Sequence, residues 1–151
     1  MAIRNETAKN RRALRSRKNP RTIAYDSLEP KLPLTTFVVT SLSGVSVDGD
    51  QQLTLAEAIQ AANSNMASTD APAGEADGDV IEFAPALDRM TLTLPAELEI
   101  SDDLVIRAGT LDITIDGNSN RIFNVTTGEA VRLDGLTLTG GFASEGGAIT
   151  S

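Results

Sequence analysis

The side chains of this 151-residue chain that could do chemistry are carboxylates and arginines, because it contains neither His nor Cys. That removes imidazole bases, thiolate nucleophiles, disulfides and the usual zinc and copper ligands. What is left is the kit for acid/base cleavage of acidic polysaccharides, in which clustered carboxylates work with Ca²⁺ or with an Arg or Lys base. The candidates are Asp102, Asp103, Asp112, Asp116 and Asp134 with Arg107, Arg121 and Arg132. Asp112 and Asp134 lie 22 residues apart, a spacing that would stack them on adjacent turns of a repeat. The plainer reading is that Asp before Gly serves a turn and that the rest are solvated exterior positions. It is the one adopted: no catalytic, cofactor-binding or metal-ligating residue is assigned.

Calcium loops are the other chemical candidate. "DGD" occurs at 48–50 and 77–79, and "DGNSN" at 116–120. Neither continues with the Gly at position six and the Glu at position twelve of an EF-hand. Asn118 and Asn120 are ordinary turn formers, so no cofactor is assigned, with Ca²⁺ as the one candidate. The glycines of "GVSVDG" fit no phosphate-binding loop.

The elements that must position these residues read mostly as strand. With four Phe, one Tyr and no Trp, the core must come from Leu, Ile and Val, which suits regular stacked layers. "TLTL" (91–94), "DITIDG" (112–117) and "GLTLTGG" (135–141) share apolar residues at period two, with a Gly turn after the latter two. Leu92 to Ile113 is 21 residues and Ile113 to Leu136 is 23. Between them lie Leu98–Ile100, Leu104–Ile106, Phe123–Val125 and Val131–Leu133. Short strands recurring at this period predict an all-β solenoid of about three coils over 90–151. A hairpin meander is the competing fold, since "DG" at 116–117 and 134–135 suits two-residue turns. Thr36–Thr40 and "DVIEFAP" read as earlier strands, the latter stopped by Pro85.

One helix is expected, over 53–65. Thr54 and Glu57 have the spacing of a capping box, and Leu55, Ala58, Ile59 and Ala62 make one apolar face. A solenoid starts with an open apolar end and an unpaired edge. A helix laid across that end would cap it; the alternative is a surface helix of an α+β domain.

Charge divides the chain. Residues 1–31 hold nine Lys/Arg against three Asp/Glu, whereas 32–151 hold four Arg, no Lys and eighteen Asp/Glu. Residues 1–34 read as a disordered basic tail, or as a targeting segment, although no apolar h-region is present. The acidic remainder, 35–151, argues against nucleic-acid binding, and no run is long and apolar enough to span a membrane.

The order "LTLAEAIQAAN", "GDVIEFAP", "ITIDGNSNRIFNV", "LDGLTLTGG", "EGGAI" resembles bacterial surface proteins with right-handed parallel β-helix repeats, which often begin with a CSLREA domain. Leu55, Glu57, Ala58 and Ile59 match that motif, while Leu53, Thr54 and Ala56 replace its Cys, Ser and Arg. Leu28, Glu29, Pro30 and Leu34 are similar to an N-terminal Leu-Glu-Pro-Arg-x-Leu-Leu signature of large surface proteins, with Lys31 in place of the Arg. The resemblance implies a right-handed parallel β-helix with an N-terminal capping helix, in an extracellular or cell-surface adhesin-like protein. Its module would be non-catalytic, a stalk or a binding surface for a carbohydrate or cell-surface ligand. A remnant of a polysaccharide lyase or hydrolase is the alternative. The pattern breaks off at "GGAITS", as in a short or truncated member, so further coils or self-association are expected at the C-terminal edge.

Overall fold

The computed structural model describes residues 34–151, so the basic run and the Leu28–Lys31 signature lie outside the described residues. The described part is mostly β, with one α-helix. Ten strands run in chain order: β1 (Thr36–Val39), β2 (Asp79–Phe83), β3 (Thr91–Thr93), β4 (Leu98–Ile100), β5 (Leu104–Arg107), β6 (Ile113–Asp116), β7 (Phe123–Val125), β8 (Val131–Asp134), β9 (Leu136–Thr139) and β10 (Ile149–Thr150). The helix α1 (Leu55–Ser64) lies between β1 and β2, and a 3-10 turn (Pro85–Leu87) follows β2.

The strands form three sheets, ordered β1-β2-β5-β8, β3-β6-β9 and β4-β7-β10. From β2 onward the chain visits the first, second and third sheet in turn, three times over. Among the described residues every strand pair is parallel, so the hairpin meander is not the fold. The regular part also reaches further back than 90–151, because β1 and β2 belong to the same sheet as β5 and β8.

Period-two alternation is what feeds the core. In the first sheet Phe37 pairs with Ile81, Ile81 with Ile106 and Ile106 with Leu133. In the second, Leu92 pairs with Ile115 and Ile115 with Leu138. This corrects the register drawn from sequence, which set Leu92 against Ile113; Ile113 pairs with Leu136 instead. The true repeat in this sheet is 23 residues at both steps. Phe37, Ile81, Ile106, Leu92 and Ile115 are buried, whereas Leu133, Leu136 and Leu138 on the last strands are only half-buried. Among the described residues β8 and β9 each pair on one side only, which leaves their outer edges without a strand partner there.

The helix starts and stops where the sequence places it. Thr54 Oγ1 accepts the Glu57 N–H, and the Glu57 carboxylate accepts the Thr54 N–H, closing the capping box. Asn65 ends it in the left-handed region at φ 53°, its N–H bonded to the Ala62 carbonyl. Leu55, Ala58, Ile59 and Ala62 are buried as expected, together with Ala61. They pack on β1, β2 and β4 as part of one core cluster with Phe37, Val39 and Phe83.

Candidate functional site

The structure disperses most of the candidate acid/base residues. Asp134 ends β8 in the first sheet, while Asp112 precedes β6 in the second and gives its N–H to Asp88 Oδ1 at 2.9 Å. The 22-residue spacing therefore does not stack them, because adjacent turns here differ by 23 to 27 residues according to the sheet. Asp116 accepts the Asn118 N–H at 2.9 Å, an Asx turn, and its carboxylate occupies the space where a side chain on Gly140 would go. This is the turn role expected of "DGNSN".

The arginines are tied up along the strands. Arg107 pairs with Glu82 of the neighbouring strand. Arg121 reaches Glu97 at 3.1 Å and also donates to the Gly146 and Glu145 carbonyls. Arg132 pairs with Asp134 at 3.3 Å. Arg89, the fourth, lies 3.8 Å from Asp88. These four are the whole cationic complement of residues 34–151.

The carboxylates that do come together lie at the C-terminal end of α1. Asp79, the first residue of β2, is 1% exposed, the most buried charged side chain among the described residues. Both of its oxygens share one donor, the Glu75 N–H, at 3.1 and 3.3 Å. Its own N–H bonds the Asp103 carbonyl. Asp102 accepts from Asn65 Nδ2 at 2.9 Å and from the Asp103 N–H at 2.8 Å. Asp103 caps the next turn through Ala130 N–H at 2.7 Å. Asn63 adds a second tie, donating to the Glu99 carbonyl and accepting from the Ser101 N–H. One end of the helix is thus fastened to the end of β4 and the loop before β5, and that loop is fastened in turn to the start of β2.

The electrostatics here are unbalanced. Burial raises the Asp79 carboxyl above the ordinary Asp value; Asp102 and Glu75 push it the same way, against the Glu75 and Thr35 backbone N–H groups. Oδ1 of Asn65 is buried and accepts no hydrogen bond among the described residues. That oxygen and Asp79 Oδ2 border the same point: a methyl group on Gly74 would stand 2.9 Å from the first and 2.5 Å from the second. Gly74 is the residue that leaves them room.

Sequence reasoning had Asp102 and Asp103 as candidates and flagged "DGD" at 77–79, but it missed Asn65, Glu75 and Gly74 as their neighbours. The available signal was Asp79 itself, an acid heading a strand in which Val80, Ile81 and Phe83 are buried. A concavity of about 410 Å³ lies between α1 and the 46–48 loop; Glu57 in its wall is spent on Val47, Thr54 and the capping box. Among the described residues no three of Asp, Glu, His and Cys are grouped closely enough to ligate a metal by themselves. Among the described residues no helix is long and apolar enough to cross a membrane. In comparisons with known proteins, the chain matches no family model, no curated protein and no solved structure.

Proposed function

We propose that residues 35–151 are a non-catalytic, right-handed parallel β-helix module of an extracellular or cell-surface, adhesin-like protein. It acts there as a rigid stalk or as a binding surface for a carbohydrate or other cell-surface ligand. The observation that carries this reading is the strand order: the chain visits three parallel sheets in fixed rotation, each visit pairing with the visit before it. A chain wound in that way presents flat, polar flanks built from the outward half of each strand, as in Thr91, Thr93, Arg107 and Arg132. Repetition of that kind suits rigidity and extended contact rather than an enclosed reaction site.

The lyase or hydrolase alternative needs a carboxylate cluster with a free basic partner. Its best pair is split, with Asp134 ending β8 of the first sheet and Asp112 preceding β6 of the second, so no observation favours it. Protease treatment of intact source cells tests the surface reading. The chain should be degraded while a cytosolic marker survives. Full protection of the chain until lysis would rule the surface role out.

A further inference from the structure

We propose that Asp79 carries a proton in the folded chain and donates it to Asn65 Oδ1, closing a latch between the start of β2 and the C-terminal cap of α1 that acid fastens and rising pH releases. This is independent of the surface reading.

The Asn65 amide is oriented by its other end. Its Nδ2 donates to Asp102 at 2.9 Å, which leaves Oδ1 at the space beside Gly74. That oxygen is buried and accepts no hydrogen bond among the described residues. Asp79 Oδ2 borders the same space, on a side chain that is itself buried. An ionised Asp79 sets acceptor against acceptor there. A protonated Asp79 has the O–H that Asn65 Oδ1 lacks, so one proton satisfies both groups. The amide cannot turn round to donate instead without facing its carbonyl to Asp102. Burial first, then Asp102 and Glu75, raise the Asp79 carboxyl above the ordinary Asp value, against the Glu75 and Thr35 backbone groups. The remaining charged groups on the elements around it are turned elsewhere. The Asp103 carboxylate accepts the Ala130 N–H, Arg107 of β5 pairs with Glu82, Glu57 of α1 closes the capping box, Asp77 and Glu99 are exposed, and β1 carries no charge.

The latch closes the loop 66–78, which runs from the helix cap to β2. That loop carries Asp70, whose carboxylate accepts the Gly49 and Gln51 N–H groups, and it supplies Met66, Ala67 and Ser68 to the wall of the cleft beside α1. Release of Asp79 therefore loosens that wall and the turn at 49–51 together. The sign follows from the raised native carboxyl: the stabilisation is complete below the unfolded pKa and is lost as pH rises through the native one.

Hydrogen exchange of the full chain tests this, expressed as protection factors so that the intrinsic pH dependence of exchange cancels. From about pH 4 to about pH 8, across the ordinary carboxylate range and beyond, amides within 66–78 should lose about tenfold in protection relative to β5 and β6, the worth of one hydrogen bond. Asp79→Asn places a permanent N–H donor at the same point, so its loop should stay protected at every pH. Asn65→Gly keeps the left-handed cap but removes the acceptor. Its loop should show the low protection at every pH. In that variant the Asp79 carboxyl, followed by its ¹³C resonance, should also bind its proton about tenfold more weakly than in the unmutated chain. The carboxyl titration decides the matter even if Asp79→Asn does not fold. Loop protection that keeps pace with β5 and β6 at every pH in the unmutated chain would overturn the latch. So would an Asp79 proton affinity that Asn65→Gly leaves unchanged.

Discussion

Leu92 lies directly opposite Ile115 on the neighbouring parallel strand, and not opposite Ile113, although all three are buried. The two-residue difference matters for what each side chain stacks on. Ile115 is sandwiched between Leu92 and Leu138, while Ile113 meets Leu136 on one side. Ile115→Asp should therefore be the more damaging of the two charge insertions, each placing an unpaired carboxylate in an apolar ladder at a cost of several kcal/mol, on the order of the burial penalty of such a group. Thr114→Asp, on the opposite face of the same strand, should cost far less. Urea denaturation of the three variants checks the ranking; equal loss at positions 114 and 115 would contradict the inward assignment.

Much of this architecture was legible in the sequence because one rule wrote it repeatedly. Leu, Ile and Val at period two mark strands, and a repeat above twenty residues marks stacked layers; both are local properties. Register was less legible. "TLTL" offers Leu92 and Leu94 as equivalent, and "DITID" offers Ile113 and Ile115. The hydrogen bond from Leu94 N–H to the Asp116 carbonyl fixes the choice between them. The acidic cluster was the least legible part. Asn65, Asp79 and Asp102 are separated by 14 and 23 residues, and only the folded path of the loop at Gly74 and Gly78 brings them together.

The capping box should be strongly coupled. Thr54→Ala removes the acceptor for the Glu57 N–H and should cost about 1 kcal/mol. Glu57→Ala should cost more, because that carboxylate also receives the Val47 and Thr54 N–H groups in a site with little water. The double variant should be more stable than the sum of the two losses predicts, since they share one hydrogen-bonded pair. Chemical denaturation of the four proteins closes the cycle, and strict additivity would mean that the two residues act separately.

Acidity should tell on Asp79. Its native carboxyl is raised above the ordinary Asp value, by burial first and by Asp102 and Glu75 next. The native state thus holds this proton more tightly than the unfolded chain does. Below the unfolded pKa both states are protonated and the protonated native form has its full advantage; as pH rises through the native pKa that contribution is lost. In the absence of divalent cations, the stability of Asp79→Asn relative to wild type should therefore grow as pH rises from about 4 toward neutrality. The quantity to follow is the difference in Tm between the two proteins at each pH, which cancels the other seventeen carboxylates of this region. A difference that shrinks with rising pH would mean that the Glu75 and Thr35 N–H groups outweigh the burial of Asp79.

Ile59 is 2% exposed and belongs to the face that α1 lays on β1, β2 and β4. Ile59→Lys should lift the helix and expose the core beneath it, including Phe37 and Phe83. An uncovered apolar end next to strand edges invites association. Light scattering should therefore show oligomers for this variant at concentrations where Gln60→Lys, on the exposed side of the same helix, behaves as wild type. A monomeric, folded Ile59→Lys protein would remove the capping role from α1.

The opposite end should be adhesive in the 151-residue polypeptide itself. Val131, Leu133, Leu136 and Leu138 are half-buried, and a hollow of about 250 Å³ opens between Phe123, Val125, Val131, Leu133 and Ile149. Among the described residues the outer edges of β8 and β9, in line with these side chains, have no strand partner. A parallel strand from a second copy can satisfy both needs at once, pairing with the edge while its apolar side chains cover the face. Charges on this face should oppose that pairing, because each would be desolvated in the contact without a partner. Leu133→Lys combined with Leu138→Lys should therefore shift the polypeptide toward monomer, and the same pair of changes at the outward positions Arg132 and Thr137 should leave its association unaltered. Sedimentation velocity across a concentration series decides the matter: a wild-type species whose sedimentation coefficient does not move with concentration would show that this face does not bind its own copy.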